Sequence, residues 1–189
     1  MIVRLLVAAF FLLPGVALAQ EEFPLPTTPT TPRPFVREEP SGINVHYVAG
    51  GEKGVFWRGA APRRDTLQAL LKSAQARNVK VTLIDLRHPA NSDDRSGKSG
   101  RLSPHSENQA CQEMGLHYES VSAMDGNLIG VLKEALARGD VYIHCMYGVN
   151  RTGFAVGRFA TAQRLKVERD GLGRRDWEQG VRWQQRVNR

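Results

Sequence analysis

Cysteine is scarce in this chain: 189 residues hold two, Cys111 and Cys145. They permit a single bridge, which excludes a disulfide-built scaffold. Aromatic residues make up 7% of the chain. No segment interleaves aromatic with basic residues and no RNA-binding signature is present, so nucleic acid is not an expected partner. No internal repeat occurs. The longest apolar run, Leu5–Leu13, is too short to cross a bilayer comfortably. No histidine–carboxylate cluster is visible along the chain, so neither a metal nor another cofactor is expected. A nucleotide-binding P-loop is missing too. Gly97-Lys98-Ser99 has the form of its end, but the glycine needed at position 92 is Ser92, and no strand leads in.

What is present begins with a secretory pattern. Arg4 supplies the positive start, Leu5–Leu13 the apolar stretch and Ala17-Leu18-Ala19 a small-x-small cleavage site. Residues 1–19 therefore read as a signal peptide, the protein as periplasmic or secreted, and the mature chain as lacking a stable membrane span. No cysteine follows the cleavage site, which argues against a lipid-anchored form. Loss of residues 1–19 removes one charge, Arg4, and leaves 25 basic against 19 acidic residues, a net +6. Such an excess suits an anionic substrate. Residues 20–40, with Pro24, Pro26, Pro29, Pro32 and Pro34, disfavour helix and sheet and read as a disordered tether. Residues 41–189 are the size of one folded domain.

Within that domain, strand-like and helix-like stretches alternate. Strands are expected at Ile43–Val48, Gly54–Arg58, Val79–Leu86, Leu116–Val121 and Val141–His144. Helices are expected at Pro62–Ala76, from Ser103-Pro104 to Met114, Asn127–Arg138, Arg151–Leu165 and Arg174–Val187. Leu67, Leu70, Leu71 and Ala74 form one stripe on the first helix, and Glu107 is placed to help cap the second. The pattern predicts an α/β fold with a central, mostly parallel sheet flanked by helices. Its site should lie at the carboxyl ends of the strands.

The densest chemistry is the run His144-Cys145-Met146-Tyr147-Gly148-Val149-Asn150-Arg151-Thr152-Gly153. An apolar strand leads in and a helix leads out. Backbone N–H groups of the loop and the first helical turn, with the helix dipole, make an anion site. Gly148 allows the backbone to curl. Arg151 offers a planar fork for two phosphate oxygens. Cys145 lies at the base, where the helix N-terminus and the guanidinium both favour the thiolate. Thr152 is suited to hydrogen-bond the sulfur. Met146, Tyr147, Gly148, Val149 and Asn150 would line the bound phosphoryl group, and His144 would support the loop.

This signature, His-Cys, five residues, Arg, then Ser or Thr, resembles that of the cysteine-dependent protein tyrosine phosphatase superfamily. The loop follows several strands, as in the dual-specificity branch. The resemblance implies a phosphoric monoester hydrolase that needs no metal and works through a phosphocysteine. It also implies an acid aspartate on the loop after the preceding strand. Asp125, in Ser122-Ala123-Met124-Asp125-Gly126, matches by position; Asp93, Asp94 and Glu119 are the other candidates, and helix capping is the competing role for Asp125.

Two substrate branches fit: phosphotyrosine or dual-specificity protein phosphatases, and tyrosine-phosphatase-like phytases acting on inositol polyphosphates. Ile84-Asp85-Leu86-Arg87-His88 and Ala123-Met124-Asp125 resemble segments of the phytases, and Trp57-Arg58-Gly59 one common to both branches. Arg87 and His88, at a strand end, are the expected substrate cations, with Arg58, Arg63, Arg64, Lys98 and Arg101 nearby. The uncharged loop positions Met146, Tyr147, Val149 and Asn150, and the short chain, favour the protein phosphatases. The expected partner is a phosphorylated protein or inositol phosphate. A binding module without turnover is the remaining alternative; intact Cys145, Arg151 and Thr152 argue against it.

Overall fold

The computed structural model describes residues 45–50, 53–87 and 100–163. The signal segment, the Pro-rich segment, His88, Asp93, Asp94, Lys98 and the expected helix Arg174–Val187 lie outside them. Nine elements follow in chain order: β1 (His46–Gly50), β2 (Val55–Ala60), α1 (Arg64–Gln75), β3 (Lys80–Asp85), α2 (Pro104–Met114), β4 (His117–Ser120), α3 (Leu128–Arg138), β5 (Gly139–Cys145) and α4 (Asn150–Ala162). They match the expected strands and helices to within a few residues at each end.

The five strands form one sheet in the order β1-β2-β5-β3-β4. β1 runs antiparallel to β2; the β2–β5, β5–β3 and β3–β4 pairs are parallel. The expected mostly parallel α/β fold is therefore the observed one. β5 is central and every one of its residues is buried, as a strand covered on both faces requires.

Alternation along β5 sorts the core into two layers. Val141, Ile143 and Cys145 face a cluster with Phe154, Val156 and Phe159 of α4 and Leu128, Leu132 and Leu136 of α3. Tyr142 faces the opposite cluster, with Leu67 and Leu70 of α1 and Ala110 and Cys111 of α2. Gly59 is required by this second layer. A Cβ there would lie 2.8 Å from Tyr142 Cζ, displacing the ring whose hydroxyl donates to the Ala60 carbonyl at 2.8 Å.

Two helix ends follow simple chemistry. Ser103 caps α2 by accepting the Ser106 N–H at 3.0 Å, with Pro104 in the first turn. Gly115 ends the helix at φ 70°, in the left-handed conformation that glycine adopts freely. Glu107 departs from its expected capping part: it points into the interior, fully buried. No helix among the described residues is long and apolar enough to cross a membrane.

Candidate functional site

Strand β5 ends at Cys145 and helix α4 begins at Asn150, so four residues, Met146–Val149, join them. The turn lies against the end of β2. The Ala61 N–H donates to the Met146 carbonyl at 3.2 Å. Gly148 has φ 70°, and a Cβ at that position would sit 2.5 Å from the Gly59 carbonyl oxygen and 2.6 Å from Ala60 N. Glycine is thus needed twice over, for the backbone angle and for the close approach.

Cys145 is 5% exposed and lies where the parallel strands end. Arg151 is the second residue of α4 and half-buried; its Nη1 donates to the Leu86 carbonyl at 3.3 Å, just beyond β3. The first intrahelical bond to close runs from the Gly153 N–H to the Val149 carbonyl at 2.8 Å. The N–H groups before it have no partner within the helix, as at every helix start. A thiol, a guanidinium and helix-start amides are therefore gathered on ten consecutive residues. Thr152 is fully buried, and its hydroxyl has no hydrogen-bond partner among the described residues. Burying a hydroxyl unpaired costs about 1–3 kcal/mol, a cost that a bound acceptor would relieve.

Beneath the loop lies a charged network. His144, the residue before Cys145, is fully buried, and its Nε2 is 2.7 Å from Glu107 Oε1. Glu107 also accepts from Arg87 at 2.5 Å. Arg87 grips Asp85 with Nε and Nη2, both at 2.8 Å, and gives Nη1 to the Leu102 carbonyl at 2.7 Å. The Tyr118 hydroxyl donates to Asp85 at 2.9 Å. Burial works against ionising Asp85, but the charges of His144 and Arg87 and the Arg87 hydrogen bonds outweigh it and hold the carboxyl below its usual range. Burial moves Glu107 the other way, and its carboxyl is raised.

This network corrects two expectations. Arg87 is 1% exposed and its nitrogens are held by Asp85, Glu107 and Leu102. It braces the loop from within rather than facing a substrate. The chain also does assemble a histidine–carboxylate cluster, Asp85, Glu107 and His144, with ligand atoms within 4.8 Å of one another. The trio comes from three separate elements, so no local spacing could reveal it. A guanidinium already binds both carboxylates, which is the arrangement of an ion-pair network.

The other named residues fall as follows. Asp125 is exposed on the turn between β4 and α3; its Oδ1 accepts the Asn127 N–H at 2.7 Å, so the capping contact exists. Glu119 is engaged by Arg138 at 2.6 Å and His117 at 3.0 Å, on the edge strand of the sheet. Arg64 pairs with Glu113 of α2 at 2.5 Å, and Arg58 is fully buried in β2. Tyr147 is 68% exposed. Arg101 stacks 5.3 Å from the Tyr147 ring centre and donates Nη1 to the Met146 carbonyl at 3.0 Å. It belongs to the loop's rim. Cys111 is buried in the α1/α2 layer, across the sheet from Cys145, and both thiols are free. A bridge between them would have to pass through the sheet.

No protein-family model matches the chain, and no curated protein matches its sequence. Solved structures do. TpbA of P. aeruginosa aligns at 18% identity over 67% of this chain and 68% of its own, with a TM-score of 0.42. A PTP-like myo-inositol phosphatase from Mitsuokella multacida aligns at 15% over 66% of this chain, TM-score 0.43. The chain spans 32% of that protein. PTPMT1 aligns at 15% over 70% of this chain and 94% of its own, TM-score 0.38.

Proposed function

We propose that the chain is a cysteine-dependent phosphomonoester hydrolase of the protein tyrosine or dual-specificity phosphatase type. One observation carries this reading: Cys145 ends the central strand and Arg151 stands in the first turn of the next helix, joined by a turn that only glycine at 148 allows. The thiolate of Cys145 attacks phosphorus in line, forming the S–P bond as the ester P–O bond breaks. Arg151 and the amides from Met146 to Thr152 hold the non-bridging oxygens as charge shifts. Asp125 gives its proton to the departing oxygen. Water then attacks the phosphocysteine, Asp125 takes up a proton, and inorganic phosphate leaves as the thiolate is regenerated. The hydroxyl of Thr152 is available to the sulfur or to a phosphoryl oxygen. His144 carries no chemistry in this scheme; Glu107 fixes its ring and so the start of the loop.

The rim supports an aryl phosphate over a polyphosphorylated ring. An inositol polyphosphate requires several cations at once. Arg87 and Arg58 are buried and Arg64 is turned to α2. Among the described residues, Arg101 and the exposed ring of Tyr147 stack on each other at the loop's rim, an arrangement that suits the face of a phosphotyrosine. The N-terminal signal would place this activity in the periplasm or outside the cell.

Turnover of an aryl phosphate in the presence of a chelator tests the reading. Cys145→Ser should abolish turnover while phosphate-ester binding persists; a variant that still turns over would overturn it. Phosphotyrosine peptides should be hydrolysed faster than inositol hexakisphosphate, and the reverse order would select the inositol branch.

A further inference from the structure

The turn that carries Asp125 is fastened to α4 by one side chain. Arg158 Nη1 donates to the Ala123 carbonyl at 3.1 Å and to the Asp125 carbonyl at 3.2 Å. Its guanidinium carbon lies 5.6 Å from the centre of the Phe154 ring, one turn earlier on the same helix. Arg158 follows Arg151 by seven residues, which places the two on the same side of α4. The helix that presents Arg151 to the loop at its start therefore holds the acid's turn two turns later. The rest of the turn is lightly held. Ala123 is buried in the core, but Asp125, Gly126 and Asn127 are exposed. Its internal bonds are local, from Asp125 N–H to the Ser122 carbonyl at 3.0 Å and from Met124 N–H to Ser122 Oγ at 3.2 Å.

We infer that Arg158 is a positioning residue for the general acid: by clamping the backbone on both sides of Met124 it sets where the Asp125 carboxyl stands relative to the phosphate loop. The inference rests on the proposed role of Asp125 and adds what holds it. A misplaced acid still allows attack on phosphorus but not prompt protonation of the leaving oxygen. The cost then depends on how much the leaving group needs a proton. A purely structural arginine would slow every substrate alike.

Arg158→Met keeps an unbranched apolar chain and removes the guanidinium that makes both hydrogen bonds. The expected result is a kcat/KM, which reports the step that forms the S–P bond, about tenfold lower on phenyl phosphate and within about twofold of wild type on 2,4-dinitrophenyl phosphate. Arg158→Lys, which retains a donor, should recover most of the loss. The double variant Asp125→Asn/Arg158→Met should be no slower than Asp125→Asn alone, because the clamp acts only through that carboxyl. Equal lowering of kcat/KM on both substrates, or losses that add in the double variant, would overturn the inference; should the methionine variant fail to fold, Arg158→Gln and Arg158→Lys carry the same comparison. The parent reading fails separately, if Cys145→Ser retains turnover or if Asp125→Asn is insensitive to the leaving group. The clamp alone fails if those two behave as expected and Arg158→Met shows no leaving-group dependence.

Discussion

Arg87 and Glu107 meet at 2.5 Å with both side chains fully buried. Each has a further partner near the carboxyl ends of the strands: Arg87 holds Asp85, and Glu107 holds His144. The pair is thus the keystone between β3, α2 and the residue preceding the nucleophile. Removing one member strands the other's charge in the interior, which costs about 3–5 kcal/mol.

Arg87→Met should accordingly lower Tm by on the order of 10 °C, read by thermal unfolding at neutral pH. The outcome separates two roles. A substrate-binding arginine would raise KM with Tm unchanged; a brace lowers Tm first. An unshifted Tm with a raised KM would return Arg87 to the substrate side.

Only one of the two cysteines should react in the folded protein. Burial, with the nearby Glu107 and Asp85 carboxylates, pushes the Cys111 thiol up to about 12. At pH 8 that leaves a thiolate fraction of about 10⁻⁴. Iodoacetamide under native conditions should give one adduct, on Cys145, suppressed by inorganic phosphate. Mild oxidation should not join the two thiols, since they lie in opposite core layers. An adduct on native Cys111, or a Cys111–Cys145 bridge found by peptide mapping, would contradict this arrangement.

The strand–turn–helix that carries Cys145 and Arg151 was legible in the sequence because its pattern is local. Strand end, glycine, arginine and threonine all fall within Cys145–Thr152, and the strand–turn–helix pattern orders them without help from the rest of the chain. The alternation of strands and helices was legible for the same reason. Arg87 was misjudged because its fate depends on a partner 20 residues away. A signal was available: Leu83 and Asp85 share one side of a buried strand by the period of two, and Arg87 follows two residues past its end, close enough to pair with the inward acid. Glu107 stands in the first turns of α2, close to the capping position, but that position is held by Ser106. Ser103 caps through Ser106, and the helix rotates Glu107 inward to His144. Arg101 gave no local hint at all, since its place against Tyr147 is set by tertiary packing.

Gly148→Ala tests the turn directly. The added Cβ meets the backbone of Gly59 and Ala60 and demands a left-handed residue. Either relief moves the amides that would hold the phosphoryl oxygens. Displacing such groups by about 1 Å costs on the order of 10²-fold in kcat/KM. The expected variant stays folded by circular dichroism, loses about that factor, and binds vanadate more weakly. Activity within a few-fold of wild type would show that the loop does not hold the reacting group.

Asp85 and Glu107 pull the pH dependence of stability in opposite directions. Asp85 titrates below its ordinary 3.8, held down against its burial by His144 and Arg87. Its contribution is therefore present above pH 3.8 and lost as the pH falls through the lowered value. Glu107 titrates above its ordinary 4.5, chiefly because of burial. In the window above 4.5 the folded state binds more protons at this site than the unfolded state, so stability drains as the pH rises through the raised value. Glu107→Gln removes only the second effect. The Tm difference, wild type minus variant, should be most favourable to wild type near pH 4.5 and should shrink steadily as the pH is raised. A difference that grows with pH would mean that Glu107 is stabilised as a carboxylate by Arg87 and His144 more than burial opposes it, and would reverse the assignment of which member of the network gives way first.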